Sequence, residues 1–174
     1  MVAALAGEDV PWEHVSVFQV DERVAPDGDP GRNLTQLLAA LPPAAASARI
    51  VPMGLTGDLT EAAAAYAALL PARLDLVHLG LGADGHTASL VRGDPVLEVT
   101  DQDVAVTGLY QGHRRLTLTY PALDRARELL WLVTGADKRD ALRRLRAGDT
   151  TIPAGRIQAT AQLLVADAAA AGGA

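Results

Sequence analysis

The residues best suited to chemistry lie in a glycine-rich turn, where one residue separates Asp84 from His86. A carboxylate beside an imidazole fixes its tautomer or favours its protonated form, and histidine titrates near working pH. The flanking glycines, among them Gly82, permit unusual backbone angles and a close approach of substrate. The pair therefore predicts acid–base catalysis, although a capping Asp beside an exposed His would have the same sequence.

The same turn also fits the Gly-x-Gly-x-x-Gly pattern of a dinucleotide site over residues 80–85. The helix that follows can extend only about seven residues before Gly93, whereas a dinucleotide unit needs a full crossover helix. Asp84 would also bring a negative charge to the pyrophosphate. Both points favour the catalytic pair over a dinucleotide site.

Two further polar clusters follow predicted strands in the same way. Short apolar runs predict the strands, and each polar cluster comes where its strand ends: residues 21–23 after strand 15–20, residues 82–86 after strand 74–80, and residues 137–138 after strand 129–134. Ligands of open parallel sheets bind beyond the carboxyl ends of the strands. If these three strands are parallel, the clusters converge on one edge of the sheet.

Other kinds of site are poorly supported by the sequence. There is no cysteine, and His14, His78 and His113 are not at metal-ligand spacing with His86, so no metal site is expected. Ser89 does not lie in the Gly-x-Ser-x-Gly turn of serine hydrolases.

The composition predicts one globular domain over residues 1–174, with 49% hydrophobic and 21% charged residues. A net charge of −6 argues against a nucleic-acid surface but leaves room for a local cationic pocket. No apolar run approaches membrane-spanning length. We therefore expect a cytoplasmic protein with no nucleic-acid or membrane partner.

The remaining pattern alternates strands with helices, which predicts an α/β fold with a mainly parallel sheet covered by helices. Asn33 is a candidate N-cap for the first helix, which Pro42 ends, and the Ala/Gly tail is expected to fray. The other predicted strands are 49–52, 104–109, 115–119 and 162–165, and the predicted helices are 34–41, 59–70 and 137–146.

Four segments of the chain resemble 6-phosphogluconolactonases, in the same order: residues 17–23, 79–90, 115–119 and 135–138. The Asp-Gly-His-Thr-Ala-Ser run that begins at Asp84 is fairly specific. The related glucosamine-6-phosphate deaminases share Asp-Gly-His but continue with Ile-Ala-Phe-Asn-Glu-Pro, which is absent here. The resemblance therefore favours the lactonases.

This resemblance implies a Rossmann-like three-layer α/β sandwich. It also implies hydrolysis of 6-phospho-D-glucono-1,5-lactone to 6-phosphogluconate, in the oxidative pentose phosphate pathway, with no metal or organic cofactor. His86 would be the general base that activates water, and Asp84 would orient its imidazole.

The resemblance also implies where substrate binds. Arg23 and Lys138, the one lysine in the chain, would hold the phosphate or nearby hydroxyls. Asp21, Asn33 and Arg115 are further candidates for substrate contact. The backbone N–H groups of the turn at Gly82 are candidate oxyanion donors.

The sequence departs from the family pattern at its start, because family members usually begin with a further strand and a Gly-Gly-[Ser/Arg]-Thr-Pro phosphate loop. We expect that strand and loop to be missing and these 174 residues alone to have weak or no activity. Two alternatives stay open: a deaminase-like isomerase, and a sugar-phosphate binding protein without catalysis.

Overall fold

The computed structural model describes residues 2–172, which form eight β-strands and five α-helices. The strands are β1 Ser16–Phe18, β2 Asp21–Arg23, β3 Arg49–Val51, β4 Leu76–Leu79, β5 Val104–Val106, β6 Arg115–Leu118, β7 Glu128–Val133 and β8 Gln162–Ala166. The helices are α1 Asn33–Ala40, α2 Leu59–Ala67, α3 Tyr120–Asp124, α4 Arg139–Arg146 and α5 Ala168–Ala171. Short 3-10 helices cover Val2–Gly7, Trp12–His14, Pro43–Ser47, Pro95–Glu98, Ala136–Lys138 and Ala154–Arg156.

The strands form three small sheets. β1 pairs with β3, and β7 pairs with both β4 and β8, all in parallel. In the third sheet, β6 lies between β2 and β5 and is antiparallel to both. The predicted α/β class with a mainly parallel arrangement is therefore confirmed, with an antiparallel sheet that the sequence did not predict.

The core gathers side chains from all three sheets. Alternate residues of β7 are buried, and every residue of β6 is buried. Tyr66 of α2 and Leu142 of α4 belong to the same apolar cluster. Within residues 2–172 no helix is long and apolar enough to cross a membrane.

The predicted strand 15–20 is wrong at its end, because the chain leaves the parallel sheet at Gln19. The Tyr66 hydroxyl accepts a hydrogen bond from the Gln19 N–H (2.7 Å) and donates one to the Gln19 carbonyl (3.1 Å). The Gln19 side chain accepts from the Met53 N–H at 2.8 Å. These contacts replace strand pairing, and residues 21–23, predicted only as a polar cluster after that strand, form β2 against β6.

Two predicted helix features are also corrected. Asn33 is the first residue of α1 and makes no capping bond; the carboxylate of Glu22 accepts from the N–H groups of Asn33 and Leu34 instead, at 2.8 Å each. The tail predicted to fray forms α5, where the Asp167 carboxylate accepts from the Ala170 N–H at 2.7 Å. Residues 173–174 lie outside the described residues.

Candidate active site

The turn after β4 brings Asp84 and His86 together, as the sequence predicted. Asp84 Oδ1 lies 2.6 Å from His86 Nδ1 and accepts a second bond, of 3.2 Å, from the His86 N–H. Burial raises the pKa of Asp84, but the hydrogen bonds from His86 outweigh burial and leave this pKa below its usual value. An ionised carboxylate only accepts hydrogen bonds. Nδ1 therefore donates, and in the neutral ring Nε2 carries the lone pair of a base.

Position 82 must be glycine because the His86 imidazole lies against its Cα, where a side chain would be. A Cβ at this position would overlap Nδ1 and Cε1 of His86 and would lie 2.7 Å from Asp84 Oδ1. The Gly82 N–H donates to the His86 carbonyl at 2.8 Å. The glycine therefore leaves room for the catalytic pair, but its N–H is already used and does not serve as an oxyanion donor in this conformation.

A second polar cluster is assembled by β2, β6 and α1. Asn33 Nδ2 donates to Asp21 Oδ1 at 2.8 Å, and the Ser89 hydroxyl donates to Asp21 Oδ2 at 2.5 Å. The β2–β6 register places Arg23 directly opposite Arg115, whose guanidinium lies 3.7 Å from Asp21 Oδ2. Burial raises the pKa of Asp21, and the Ser89 hydroxyl and the Arg115 charge oppose that rise only in part.

The two arginines of this cluster have unused hydrogen-bonding capacity. The Nε atoms of Arg23 and Arg115 are buried and have no hydrogen-bond partner among the described residues. Buried donors normally find partners, so an unpaired donor needs an explanation. Two such cations facing each other across a strand pair are suited to an anionic ligand.

Tyr110 connects the two clusters. Its ring centroid lies 5.7 Å from that of His86, at an interplanar angle of 64°, and Arg115 Cζ lies over the same ring at 5.2 Å. The Ser89–Asp21 hydrogen bond and the Tyr110 ring therefore place residues 21–23 near the Asp84–His86 turn. The sequence predicted convergence on the condition of parallel strands, whereas this contact runs through the antiparallel pair β2–β6, and the third cluster at residues 137–138 is not shown to join it.

Lys138 is a predicted site residue that makes no observed hydrogen bond or ion pair with the two clusters in the described part of the chain. It ends the 3-10 helix after β7, and its ammonium lies 3.0 Å from the neighbouring Asp137 carboxylate. Within residues 2–172, no hydrogen bond or ion pair joins Lys138 to His86 or Arg115. Its place in the site stays a prediction.

The sequence model of the glucosamine-6-phosphate isomerases/6-phosphogluconolactonase family matches residues 1–166. The chain belongs to this family.

Individual members of the family align over most of the chain. The 6-phosphogluconolactonase of Synechocystis sp. is 37% identical in an alignment 153 positions long that covers 80% of this chain and 63% of that protein. The 6-phosphogluconolactonase of Mycobacterium tuberculosis is 38% identical in an alignment 191 positions long that covers 94% of this chain and 75% of that protein. The crystal structure of the 6-phosphogluconolactonase from Thermotoga maritima superposes with a TM-score of 0.83 and 25% identity, over 95% of this chain and 78% of that one. The chain thus spans 63% of the length of the cyanobacterial relative.

Sequence reasoning missed two residues of this candidate site. Ser89 was set aside because it lacks a serine-hydrolase turn, yet it binds the Asp21 carboxylate. Its signal was its place at the end of the Asp-Gly-His-Thr-Ala-Ser run. Tyr110 had no signal of its own in the sequence. Within the described residues, no group of three His, Asp or Glu side chains is placed to hold a metal ion.

Proposed function

We propose that this chain hydrolyses 6-phospho-D-glucono-1,5-lactone to 6-phosphogluconate, a reaction of the oxidative pentose phosphate pathway. The observation that carries the proposal is the Asp84–His86 pair, in which Nδ1 is held at 2.6 Å and Nε2 is left as a base. The His86 side chain is 27% exposed, so water and substrate can reach it. Membership of the family supports the same reaction.

In the proposed reaction, His86 Nε2 takes a proton from water as the water oxygen attacks the lactone carbonyl carbon. The resulting tetrahedral intermediate carries the negative charge on the former carbonyl oxygen. The carbonyl re-forms as the bond to the ring oxygen breaks, and the proton on His86 passes to that leaving oxygen. Asp84 stabilises the transient imidazolium and keeps its orientation.

The cationic residues bind the phosphorylated end of the substrate in this proposal. Arg23 and Arg115 face each other across the β2–β6 pair, and two guanidinium groups so placed suit an anionic group. Lys138 would supply a further charge. Asn33 and Ser89 keep the Asp21 carboxylate in place as an acceptor for sugar hydroxyls.

The proposed substrate is tested by supplying three compounds to the same preparation: the phosphorylated lactone, glucono-1,5-lactone without phosphate, and glucosamine 6-phosphate. We expect acid release above the spontaneous rate, with preference for the phosphorylated lactone. Ammonia release from glucosamine 6-phosphate would indicate a deaminase instead. Binding of 6-phosphogluconate without any turnover would indicate a binding protein.

Replacing Arg23 or Lys138 with Gln is expected to raise KM for the phosphorylated lactone about tenfold, because a charge-assisted hydrogen bond contributes roughly 1.5–3 kcal/mol. The unphosphorylated lactone serves as the control substrate, since its KM should change little. An unchanged KM in both variants would remove these residues from the binding site.

Replacing Gly82 with Ala is expected to lower kcat about 100-fold, because the new Cβ displaces the His86 ring and misplacement by about 1 Å costs that much. The atoms it meets are the ends of flexible side chains, so the fold should persist. Gly80→Ala is the matched control, since a Cβ there meets nothing within 4 Å. Equal kcat values for the two variants would show that the ring position is unimportant.

A further inference from the structure

The β5–β6 hairpin ends in a tightly defined turn beside the proposed active site. Tyr110 and His113 form a two-way backbone bridge, with N···O distances of 3.0 and 3.2 Å. Between them, Gln111 has φ +51° and Gly112 has φ +82°. Two consecutive residues with positive φ are typical of the type I′ turn, whose twist suits a hairpin. The backbone of Tyr110 is therefore held firmly.

The Tyr110 ring contributes much of what holds the Arg115 guanidinium. The polar contacts of that guanidinium are long: 3.4 Å to the Ser89 hydroxyl, 3.5 Å to Gln111 Oε1 and 3.7 Å to Asp21 Oδ2. The Tyr110 face lies beneath it at 5.2 Å, within the range of a cation–π interaction. The same ring meets the His86 imidazole at an angle favoured by aromatic pairs.

Tyr110 is not a core residue. It is partly exposed and lies outside the buried apolar cluster. The partner of its hydroxyl is Gln111 Nε2 at 3.4 Å, which is a weak hydrogen bond. The Tyr110 ring, and not its hydroxyl, therefore makes the contacts with His86 and Arg115.

We propose that Tyr110 is a positioning residue that fixes the distance between the general base His86 and the substrate-binding Arg115. This inference rests on the proposed lactonase function. A single ring in contact with both groups makes base and cation move as one unit. Loss of the ring is then expected to impair proton transfer and substrate binding together.

The test compares Tyr110→Leu with Tyr110→Phe, which keeps the ring, and uses Leu109→Ala as the matched control. Leu109 is the preceding residue of the same hairpin and is 77% exposed. We expect Tyr110→Leu to lower kcat/KM about 10–100-fold through a lower kcat and a higher KM. Tyr110→Phe and Leu109→Ala should stay close to the unmodified protein in both parameters.

An NMR measurement gives a readout that does not depend on turnover. The His86 ring protons, assigned by their loss in His86→Asn, should shift in Tyr110→Leu, where the ring current of Tyr110 is gone, and stay in place in Tyr110→Phe. His86 resonances that do not move in Tyr110→Leu would overturn the positioning role. A Tyr110→Leu protein whose kcat falls only as far as its folded fraction falls, with KM unchanged, would overturn it as well. Absence of turnover in the unmodified protein would refute the proposed function, while the His86 resonances would still decide whether Tyr110 positions the ring.

Discussion

Replacing His86 with Asn is expected to lower kcat for lactone opening about 10²–10⁴-fold, the contribution of a well-placed general base. The amide of Asn has no nitrogen that accepts a proton near neutral pH, so water would attack without deprotonation. Arg115 and Asp21 are untouched by the change, and KM should therefore alter much less than kcat. The two constants are measured by titrating acid release against substrate concentration.

Asp84→Asn is the companion variant, and it separates orientation from proton transfer. An Asn side chain can turn either its N–H or its carbonyl oxygen towards His86 Nδ1. The imidazole proton is then no longer fixed on Nδ1. The wrong tautomer places the proton on Nε2 and removes the base. We expect a loss of kcat that is large but smaller than in His86→Asn. A kcat equal to that of the unmodified protein in both variants would place the chemistry elsewhere.

Replacing Glu22 with Gln is expected to lower the free energy of unfolding by about 3 kcal/mol at neutral pH, because buried donors would lose their acceptor. The Glu22 side chain is fully buried. It accepts from Gln19 Nε2 at 2.9 Å, from the Arg23 N–H at 2.7 Å, and from the N–H groups of Asn33 and Leu34 at 2.8 Å. Gln keeps one acceptor oxygen and turns an NH₂ group towards these donors.

The pH dependence of this loss follows from the pKa of Glu22. Burial alone would raise that pKa, but the hydrogen bonds from Gln19 and from three backbone N–H groups lower it below 4.5. A lowered folded-state pKa contributes stability that is complete above the unfolded pKa and is lost as pH falls through the folded pKa. The difference between Glu22→Gln and the unmodified protein should therefore be constant above about pH 6 and shrink below 4.5.

Urea unfolding across this pH range measures the effect. Glu13→Gln is the matched control, since the Glu13 side chain is 63% exposed and such changes usually stay within about 0.5 kcal/mol. A Glu22→Gln protein as stable as this control at neutral pH would show that the Glu22 network does not hold α1 and β2 together.

The parts of the site that the sequence predicted are those encoded locally. Asp84 and His86 are two residues apart on one turn, and Gly82 is close enough in sequence to show why the turn needs glycine. Strand β7 and helix α2 were also predicted, because an apolar run and an Ala-rich run are local signals of a few residues.

The parts that the sequence did not predict depend on partners distant in the chain. The end of β1 is set by Tyr66, 47 residues from Gln19. The start of α1 is held by Glu22 of strand β2. Its carboxylate, and not the predicted cap Asn33, accepts hydrogen bonds from the first N–H groups of the helix. Ser89 reaches Asp21 across 68 residues, and Tyr110 meets His86 through a hairpin whose side-chain direction no local pattern specifies.

The central claim, that His86 opens the lactone as a general base, is tested most directly by following the lactone carbonyl carbon by NMR. Freshly prepared 6-phosphogluconolactone is mixed with protein at a comparable concentration, so that even a slow reaction is measured against spontaneous opening. We predict that the unmodified chain accelerates opening and that His86→Asn loses about 10²–10⁴-fold of that acceleration. Equal acceleration by both proteins, or none by the unmodified chain, would contradict the account.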